Sequence, residues 1–262
     1  MNRRNFLLRV QLVCLLAIIT QGLSLFAQDP ATQGPEAGRA LAAELRNLRP
    51  AENAEWKGSL NIRGRDRKTT GIPIIGQSVT GEDQWKTIYL TSATGNLGAQ
   101  QLTVIHTADG SNQYLFAQAP APGAPLGESK ALSGAEADIP LAGSDFWLAD
   151  LGFEFYHWPE QNRLPGAVRH SRGCYVLESR NPHAKPGGYA RVVTWVDKET
   201  GGPIEADAYG TDDKLLKEFS LGSFKKVNGH WELKEMEINN SKTGSRTQLK
   251  FDLATKPGAA EQ

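Results

Sequence analysis

The feature that most constrains the fold is a run of strand-like segments over residues 189–221. Residues 189–197 are rich in β-branched and aromatic side chains, which favour a pleated, half-buried strand. Glycine and proline interrupt this pattern at 197–203, and these residue types are typical of a tight turn. Apolar and polar residues then alternate over 204–209, and a glycine-containing turn at 210–213 leads into a third segment. The region therefore predicts three antiparallel strands joined by two turns.

This region contains several short motifs, namely Arg-Val-Val at 191–193, Trp-Val-Asp-Lys at 195–198, Gly-Gly-Pro at 201–203, Ala-Tyr at 208–209 and Lys-Leu-Leu-Lys at 214–217. Together they resemble the LolA-like proteins, which sort lipoproteins to the outer membrane of bacteria. The resemblance covers about residues 140–253 and, more loosely, the rest of the chain after the leader. It implies a mainly β (α+β) fold, a curved antiparallel sheet forming an incomplete, half-open β-barrel. One or two helices and a loop would cover the concave face.

Residues 1–27 have the pattern of a secretory signal peptide. Arginines precede a mostly apolar stretch at 10–19, and Ala27 precedes the predicted cleavage point. The Arg-Arg-Asn-Phe-Leu motif at 3–7 also resembles a twin-arginine export signal, so both the general secretory route and the twin-arginine route stay open. In either case we expect a periplasmic protein.

Beyond the leader, we expect a single domain. Residues 28–34 are predicted to be a flexible spacer, 35–253 a LolA-like domain and 254–262 a disordered tail. Within the domain, residues 118–143 are rich in Pro, Ala and Gly, and a loop of this length is either functional or disordered. We interpret it as a mobile loop, which either acts as a lid near the mouth of a cavity or is a poorly ordered surface segment.

Helical spacing of leucine and alanine predicts an amphipathic helix over 35–48, with Pro35 in its first turn.

Short strand candidates separated by turns, without helices between them, are typical of an antiparallel meander. These candidates span residues 56–62, 72–80, 85–91, 101–107 and 113–117. Later in the chain we predict a hairpin from 173–179 and 189–196, a bulge near Lys234, and an alternating strand over 247–253.

The stretch over residues 144–159 contains six of the chain's 21 aromatic residues. It predicts a short helix capped by Ser144 or Asp145 and ending at Gly152, followed by a strand over 153–158. Such bulky side chains either fill the core or line a cavity for acyl chains, and both interpretations stay open. The residues that we predict to line the cavity are Phe146, Trp147, Phe153, Phe155, Val192 and Trp195.

Charge and reactive side chains give little indication of catalysis. Without the leader arginines the chain has 29 − 3 = 26 basic and 29 acidic residues, which gives no sign of nucleic-acid binding. Cys174 is then the single cysteine, and its strand-like surroundings predict a buried structural thiol. The five histidines lack metal-ligand spacing, and we interpret Asp145, Asp150 and Glu154 as a helix cap and solvated side chains. We expect no metal, no cofactor and no catalytic residue.

Three functional hypotheses follow. The first is a non-catalytic periplasmic carrier that binds acyl chains of a lipoprotein or another lipidated ligand in an apolar cavity. By resemblance, its partners would be an inner-membrane transporter and an outer-membrane acceptor, with peripheral membrane contact and a monomeric state. The second is a regulatory or structural envelope module that binds a protein partner and fills the cavity with its own side chains. The third is an unrecognised hydrolase.

Overall fold

The computed structural model describes residues 33–50, 52–107, 110–227 and 230–252. The predicted leader, most of the predicted spacer and the predicted C-terminal tail lie outside these residues. One α-helix precedes the strands, α1 (Pro35–Arg46). The strands are β1 (Ala54–Arg63), β2 (Thr69–Val79), β3 (Gln84–Thr91), β4 (Gln100–Thr107), β5 (Gln113–Gln118), β6 (Lys130–Leu132), β7 (Glu160–Arg169), β8 (Arg172–Arg180), β9 (Arg191–Asp197), β10 (Pro203–Tyr209), β11 (Leu215–Val227), β12 (His230–Asn240) and β13 (Ser245–Asp252).

These strands form a single antiparallel sheet of 13 strands. The spatial order is β6-β5-β4-β3-β2-β1-β13-β12-β11-β10-β9-β8-β7. Strand β1 pairs with both β2 and β13, so the chain's two series of hairpins extend from it in opposite directions. Within the described residues, β6 and β7 are the free edges and the sheet does not close. The predicted fold class, an incomplete β-barrel with a helix, is confirmed.

One face of the sheet carries the core. Leu60 pairs with Leu249, and Ile238 pairs with Phe219, so that these side chains share a face. All four are buried in one cluster with residues of α1 and of the segment 133–158. We call this side the covered face and the opposite side the outer face. Because side chains alternate along a strand, the register assigns every strand residue to one of the two.

Helix α1 packs against the free edge at β7. Its buried residues Gly38, Leu41, Ala42 and Leu45 form the predicted apolar stripe. A Cβ atom at Gly38 would lie 2.5 Å from the backbone nitrogen of Asn162, so glycine allows this close approach. Just before the helix, Gly34 exchanges two backbone hydrogen bonds with Arg163 (2.9 and 3.0 Å). In the part of the chain that the structure describes, no helix is long and apolar enough to cross a membrane.

Most predicted strands are confirmed. The five candidates of the N-terminal half agree with β1–β5 to within three residues at each end, and the three-strand run corresponds to β9, β10 and β11. The hairpin of β8 and β9, the strand β13 and the bulge near Lys234 are also present. At that bulge, Glu235 faces Ser223 while Leu233 faces Phe224, which leaves Lys234 as the extra residue.

Two parts of the chain differ from the sequence predictions. Residues 144–158 contain neither the predicted helix nor the predicted strand, but two short 3₁₀ turns, Ala149–Gly152 and Glu154–His157. Strand β7 was not predicted, because Pro165 and Gly166 interrupt its pattern and a bulge lies between Leu164 and Ala167. The predicted loop 118–143 includes the short strand β6 and the 3₁₀ turns Gly134–Ala137 and Leu141–Gly143. Its mobility stays a prediction.

Candidate ligand site beneath the covering segment

Residues 133–158, which we call the covering segment, lie over the covered face. The segment consists of 3₁₀ turns joined by irregular chain, and Phe153 adopts a left-handed backbone conformation (φ 49°) between two of the turns. The buried apolar residues of the segment are Ala137, Leu141, Ala142, Phe146, Leu148, Ala149, Leu151, Phe155 and Tyr156. They meet apolar residues of the sheet, so two apolar surfaces face each other across this contact.

Five of the six predicted cavity residues lie in this region. Phe146, Phe155 and Val192 are buried to 2% exposure or less, and Trp147 and Phe153 are partly buried against the same cluster. The ring of Trp147 stacks on Tyr189 with centroids 4.4 Å apart, and the ring of Phe155 lies edge-on to Phe219 at 6.1 Å. The sheet and the covering segment therefore bring these five side chains together.

Trp195 does not lie with the other five. It pairs with Val176 and Glu205, whereas Val192 pairs with Ser179 and Ala208, so the two residues are on opposite faces of β9. On the outer face, the guanidinium group of Arg169 lies 4.6 Å from the centre of the Trp195 ring. Residues three apart in a strand have opposite orientation, so Trp195 cannot line a cavity on the covered face.

A buried ion pair joins the covering segment to β11. The ammonium group of Lys217 donates to Asp150 Oδ2 (3.1 Å) and to the carbonyl oxygen of Asp145 (2.7 Å). It also lies 3.7 Å from the centre of the Trp147 ring. The Tyr189 hydroxyl donates to the same Asp150 oxygen at 3.3 Å. Burial lowers the pKa of Lys217 and raises the pKa of Asp150, and the attraction between the two charges opposes both shifts.

A second polar contact joins the covering segment to the β12–β13 hairpin. The backbone N–H of Asp145 donates to Thr247 Oγ1 at 3.0 Å. Its carboxylate accepts from the Thr247 hydroxyl (2.8 Å), the Ser245 hydroxyl (2.6 Å) and Asn240 Nδ2 (3.1 Å). A carboxylate that accepts hydrogen bonds from several donors is well satisfied. Asp145 and Asp150 therefore anchor the covering segment at two points, through Thr247 and Lys217.

Glu154 lies in the next 3₁₀ turn and forms no ion pair among the described residues. Its carboxylate accepts a hydrogen bond from the Tyr114 hydroxyl at 2.8 Å. Desolvation by burial raises the pKa of Glu154 to about 7. Nearby, the Asn112 side chain donates to the Gly152 carbonyl oxygen at 2.7 Å. Burial, together with the charge of Asp150, likewise raises the pKa of Asp138 to about 6.

The sequence interpretation of Asp145, Asp150 and Glu154 as a helix cap and solvated side chains is wrong. Asp145 and Asp150 are buried, and Glu154 is half-buried. Lys217, which the sequence analysis missed, is also buried. A signal for it existed, because Lys217 shares the parity of Leu215, Phe219 and Leu221 along β11. A lysine within an apolar alternation indicates a buried charge that requires a partner.

Two cavities lie at the surface, outside the covered face. One, of about 650 Å³, is lined by polar residues that include Arg49, Glu82 and Asp83. The other, of about 400 Å³, lies at the turns between β1 and β2 and between β12 and β13 and contains four arginines. Among the described residues, no group of three or more His, Cys, Asp or Glu side chains could hold a metal ion.

This architecture is similar to that of several solved structures. A DUF1329 family protein from Desulfovibrio piger is 18% identical, with 86% of this chain and 94% of that chain covered and a TM-score of 0.68. A putative outer membrane lipoprotein-sorting protein domain from Vibrio parahaemolyticus is 20% identical (86% and 95% covered, TM-score 0.68). A LolA superfamily protein from Nitrosomonas europaea is 15% identical (82% and 91%, TM-score 0.58).

At these identities the comparison establishes the fold, and it confirms the resemblance predicted from the motifs between residues 191 and 217. The protein is thus of the LolA-like fold class. A family model described only as "Uncharacterized protein" matches residues 82–256. This is more than half of the 262 residues, so the chain belongs to that family. No curated protein matches the sequence.

Proposed function

We propose that the protein is a periplasmic carrier that binds the acyl chains of a lipoprotein or another lipidated ligand. The acyl chains would lie between the covering segment and the covered face. The observation that carries the proposal is that an apolar sheet face is covered by a segment without long helices or strands. Irregular chain held at a few anchor points can move away at lower cost than a packed element, because fewer hydrogen bonds and contacts are lost.

Displacement of the segment would expose a continuous apolar surface. On the sheet side, this surface includes Val192, Ala206, Ala208, Phe219 and Ile238, all of which are buried. An acyl chain would replace the apolar contacts of Phe146 and Phe155, gaining about 0.8 kcal/mol for each buried CH₂ group. The ligand and the segment would then compete for one surface, and this competition would allow release to an acceptor.

The proposed partners and location follow from the carrier proposal and from the name of one structural neighbour. One structural neighbour is named a putative outer membrane lipoprotein-sorting protein domain. We infer that this chain likewise acts as a monomer between an inner-membrane transporter and an outer-membrane acceptor, with peripheral membrane contact, and that it is not an enzyme. Broad esterase and glycosidase screens test the last point, and turnover that is lost on substitution of Lys217 or Asp150 in a folded variant would contradict it.

The carrier is tested by native mass spectrometry of protein purified from the envelope without detergent, followed by titration with fatty acids of increasing length. Affinity is expected to rise about fourfold per added CH₂ until the site is filled. The variant Thr247→Val weakens the anchor at Asp145 and so increases the fraction of open molecules. Its apparent affinity should exceed that of the wild type, because binding then requires less work to displace the segment.

Trp195→Ala is the matched control, because it removes an aromatic residue from the outer face. It should bind fatty acids as the wild type does. A ligand-free mass, together with no uptake of fatty acids by either the wild type or Thr247→Val, would exclude the carrier. Loss of binding in Trp195→Ala would instead show that the fatty acids bind on the outer face and not beneath the covering segment.

The second candidate is the envelope module that binds a protein partner. It is favoured by one specific observation, the nearly complete burial of Phe146, Phe155 and Val192 against the chain's own side chains. In this case the covering segment is a permanent part of the core. The same experiment separates the two candidates, since a permanent core takes up no fatty acid in any folded variant.

A further inference from the structure

Four arginines lie together at the end of two adjacent hairpins, and two of them, Arg63 and Arg246, are on the outer face. Arg63 ends β1, Arg65 and Arg67 lie in the turn that follows, and Arg246 lies near the start of β13. They line the surface cavity of about 400 Å³, to which Glu218 contributes the single acidic side chain. The cavity is therefore strongly basic, although the full chain has equal numbers of basic and acidic residues.

The arrangement of Arg63 and Arg246 is unfavourable for the sheet alone. The two residues are direct cross-strand partners in the β1–β13 pair. Like charges at such positions destabilise a sheet. Arg246 is relieved by Glu237 on the neighbouring strand, at 3.5 Å. In the described parts of the chain, the side chains of Arg63, Arg65 and Arg67 have no hydrogen bond or ion pair.

On the outer face, direct cross-strand partners form a row that runs across neighbouring strands. Along this row the positive charge is limited to Arg63 and Arg246. From Arg246 the row continues through Asn239 to Glu218 and then to Asp207 on β10. Within this row the first acidic residue, Glu218, lies two strands away from Arg246, while Glu237 on the neighbouring strand pairs with Arg246 itself. Unpaired guanidinium groups that converge on a cavity match the planar, bidentate hydrogen bonding that phosphate oxygens accept.

We propose that this cavity binds the phosphate of an anionic phospholipid headgroup and thereby docks the hairpin end of the protein on a membrane surface. The exposure of Arg63, Arg65 and Arg67 favours a membrane over free phosphate, because the cavity opens to the surface at the turn between β1 and β2. Docking depends on charge near the surface, so binding should weaken as salt shortens the Debye length. The inference does not depend on what occupies the covered face.

The test is flotation of the purified full chain with two types of vesicle, phosphatidylcholine alone and phosphatidylcholine with about a third phosphatidylglycerol. The variant carries Arg63→Gln, Arg65→Gln and Arg67→Gln. Each arginine near an anionic surface contributes about a factor of five, so the triple variant should bind anionic vesicles about 100-fold more weakly. A charge-matched control carries Arg39→Gln, Lys57→Gln and Lys130→Gln at distant exposed positions. It should lose less than about threefold.

Any contribution of residues 1–27 to binding is common to all three proteins. Equal losses in the triple variant and the control would overturn the site in favour of diffuse charge. Binding of inorganic phosphate or glycerol phosphate by the wild type, without flotation on anionic vesicles, would overturn the membrane as the source of the phosphate. Absence of binding to any of these probes would overturn the proposal entirely. Circular dichroism checks the fold of each variant, which is expected to be unchanged because all substituted side chains are exposed.

Discussion

Two groups of charged side chains lie on opposite faces of the same sheet, and they differ in whether opposite charges are paired. On the covered face, Lys217 and Asp150 are almost fully buried and lie 3.1 Å apart. On the outer face, Arg63 and Arg246 are adjacent like charges at the rim of an open cavity. A buried charge requires a partner, because no water compensates it. An exposed charge can be left unpaired, since water and counter-ions screen it. The unpaired charges of this comparison therefore lie on the exposed outer face, at a cavity that is open to solvent.

The largest effect is expected from removal of the buried cation. Lys217→Met leaves Asp150 buried without its partner, and we expect a loss of about 3–5 kcal/mol in the free energy of unfolding. Urea denaturation measures this loss. Lys214→Met removes an exposed lysine in the preceding turn and should change stability by less than about 0.5 kcal/mol. Similar effects of the two substitutions would contradict the structural role of the buried pair.

A smaller, pH-dependent effect is expected at Glu154, which is a half-buried carboxylate with no ion pair among the described residues. Burial raises its pKa to about 7 in the folded protein, above the value of 4.5 for an unperturbed glutamate. Between these two pH values, the folded protein retains a proton that the unfolded chain has released. Stability from this group is therefore complete below about pH 4.5 and is lost as pH rises to about 7, by about 1–3 kcal/mol.

Glu154→Gln removes the titrating group and therefore this loss. As pH rises over that window, the variant should become more stable relative to the wild type by about 1–3 kcal/mol. Burial lowers the pKa of His106 to about 3 and of His157 to about 4, and these groups act in the opposite direction. They are present in both proteins, and their contribution cancels in the difference. Denaturation at pH 4.5 and pH 7.5 measures the effect. Glu160→Gln, at an exposed position, should follow the wild type at both pH values.

The smallest effect is expected at the exposed like-charge pair. Arg63→Thr removes the repulsion from Arg246, and we expect stabilisation by about 0.2–1 kcal/mol at low salt. At 1 M salt, where the Debye length is about 3 Å, the gain should vanish. Lys57→Thr is the control on the same strand and face, because Lys57 pairs with Asp252, an opposite charge. Stabilisation of both variants would show that threonine itself, rather than relief of repulsion, causes the effect.

The sheet was largely predictable because its signals are local. Alternation and turn residues define β9 and β10 without any knowledge of their neighbours, and the strands of the N-terminal half are equally clear. Strand β7 escaped prediction because Pro165 interrupts its pattern, which an edge strand tolerates. The 3₁₀ turns of the covering segment escaped because each is four residues or fewer, too short to show a helical period.

The candidate site was predictable only in part. The aromatic-rich segment identified Phe146 and Phe155, but the assignment of Trp195 to the same surface ignored the two-residue period that separates it from Val192. The contact between Asp145 and Thr247 joins residues 102 positions apart, and nothing in the local sequence of either indicates the other. Lys217 did carry a local signal, since its parity is that of apolar neighbours along β11.

The docking of α1 on β7 has a consequence for the order of folding. Gly34 and Arg163 are 163 − 34 = 129 residues apart, yet their backbones are hydrogen-bonded. A ribosome therefore synthesises the helix long before the strand on which it packs. Until β7 emerges, the leucines of α1 have no partner from that strand, and the closing of so long a loop is slow. We expect the nascent chain to stay open and accessible to chaperones until most of it has been made.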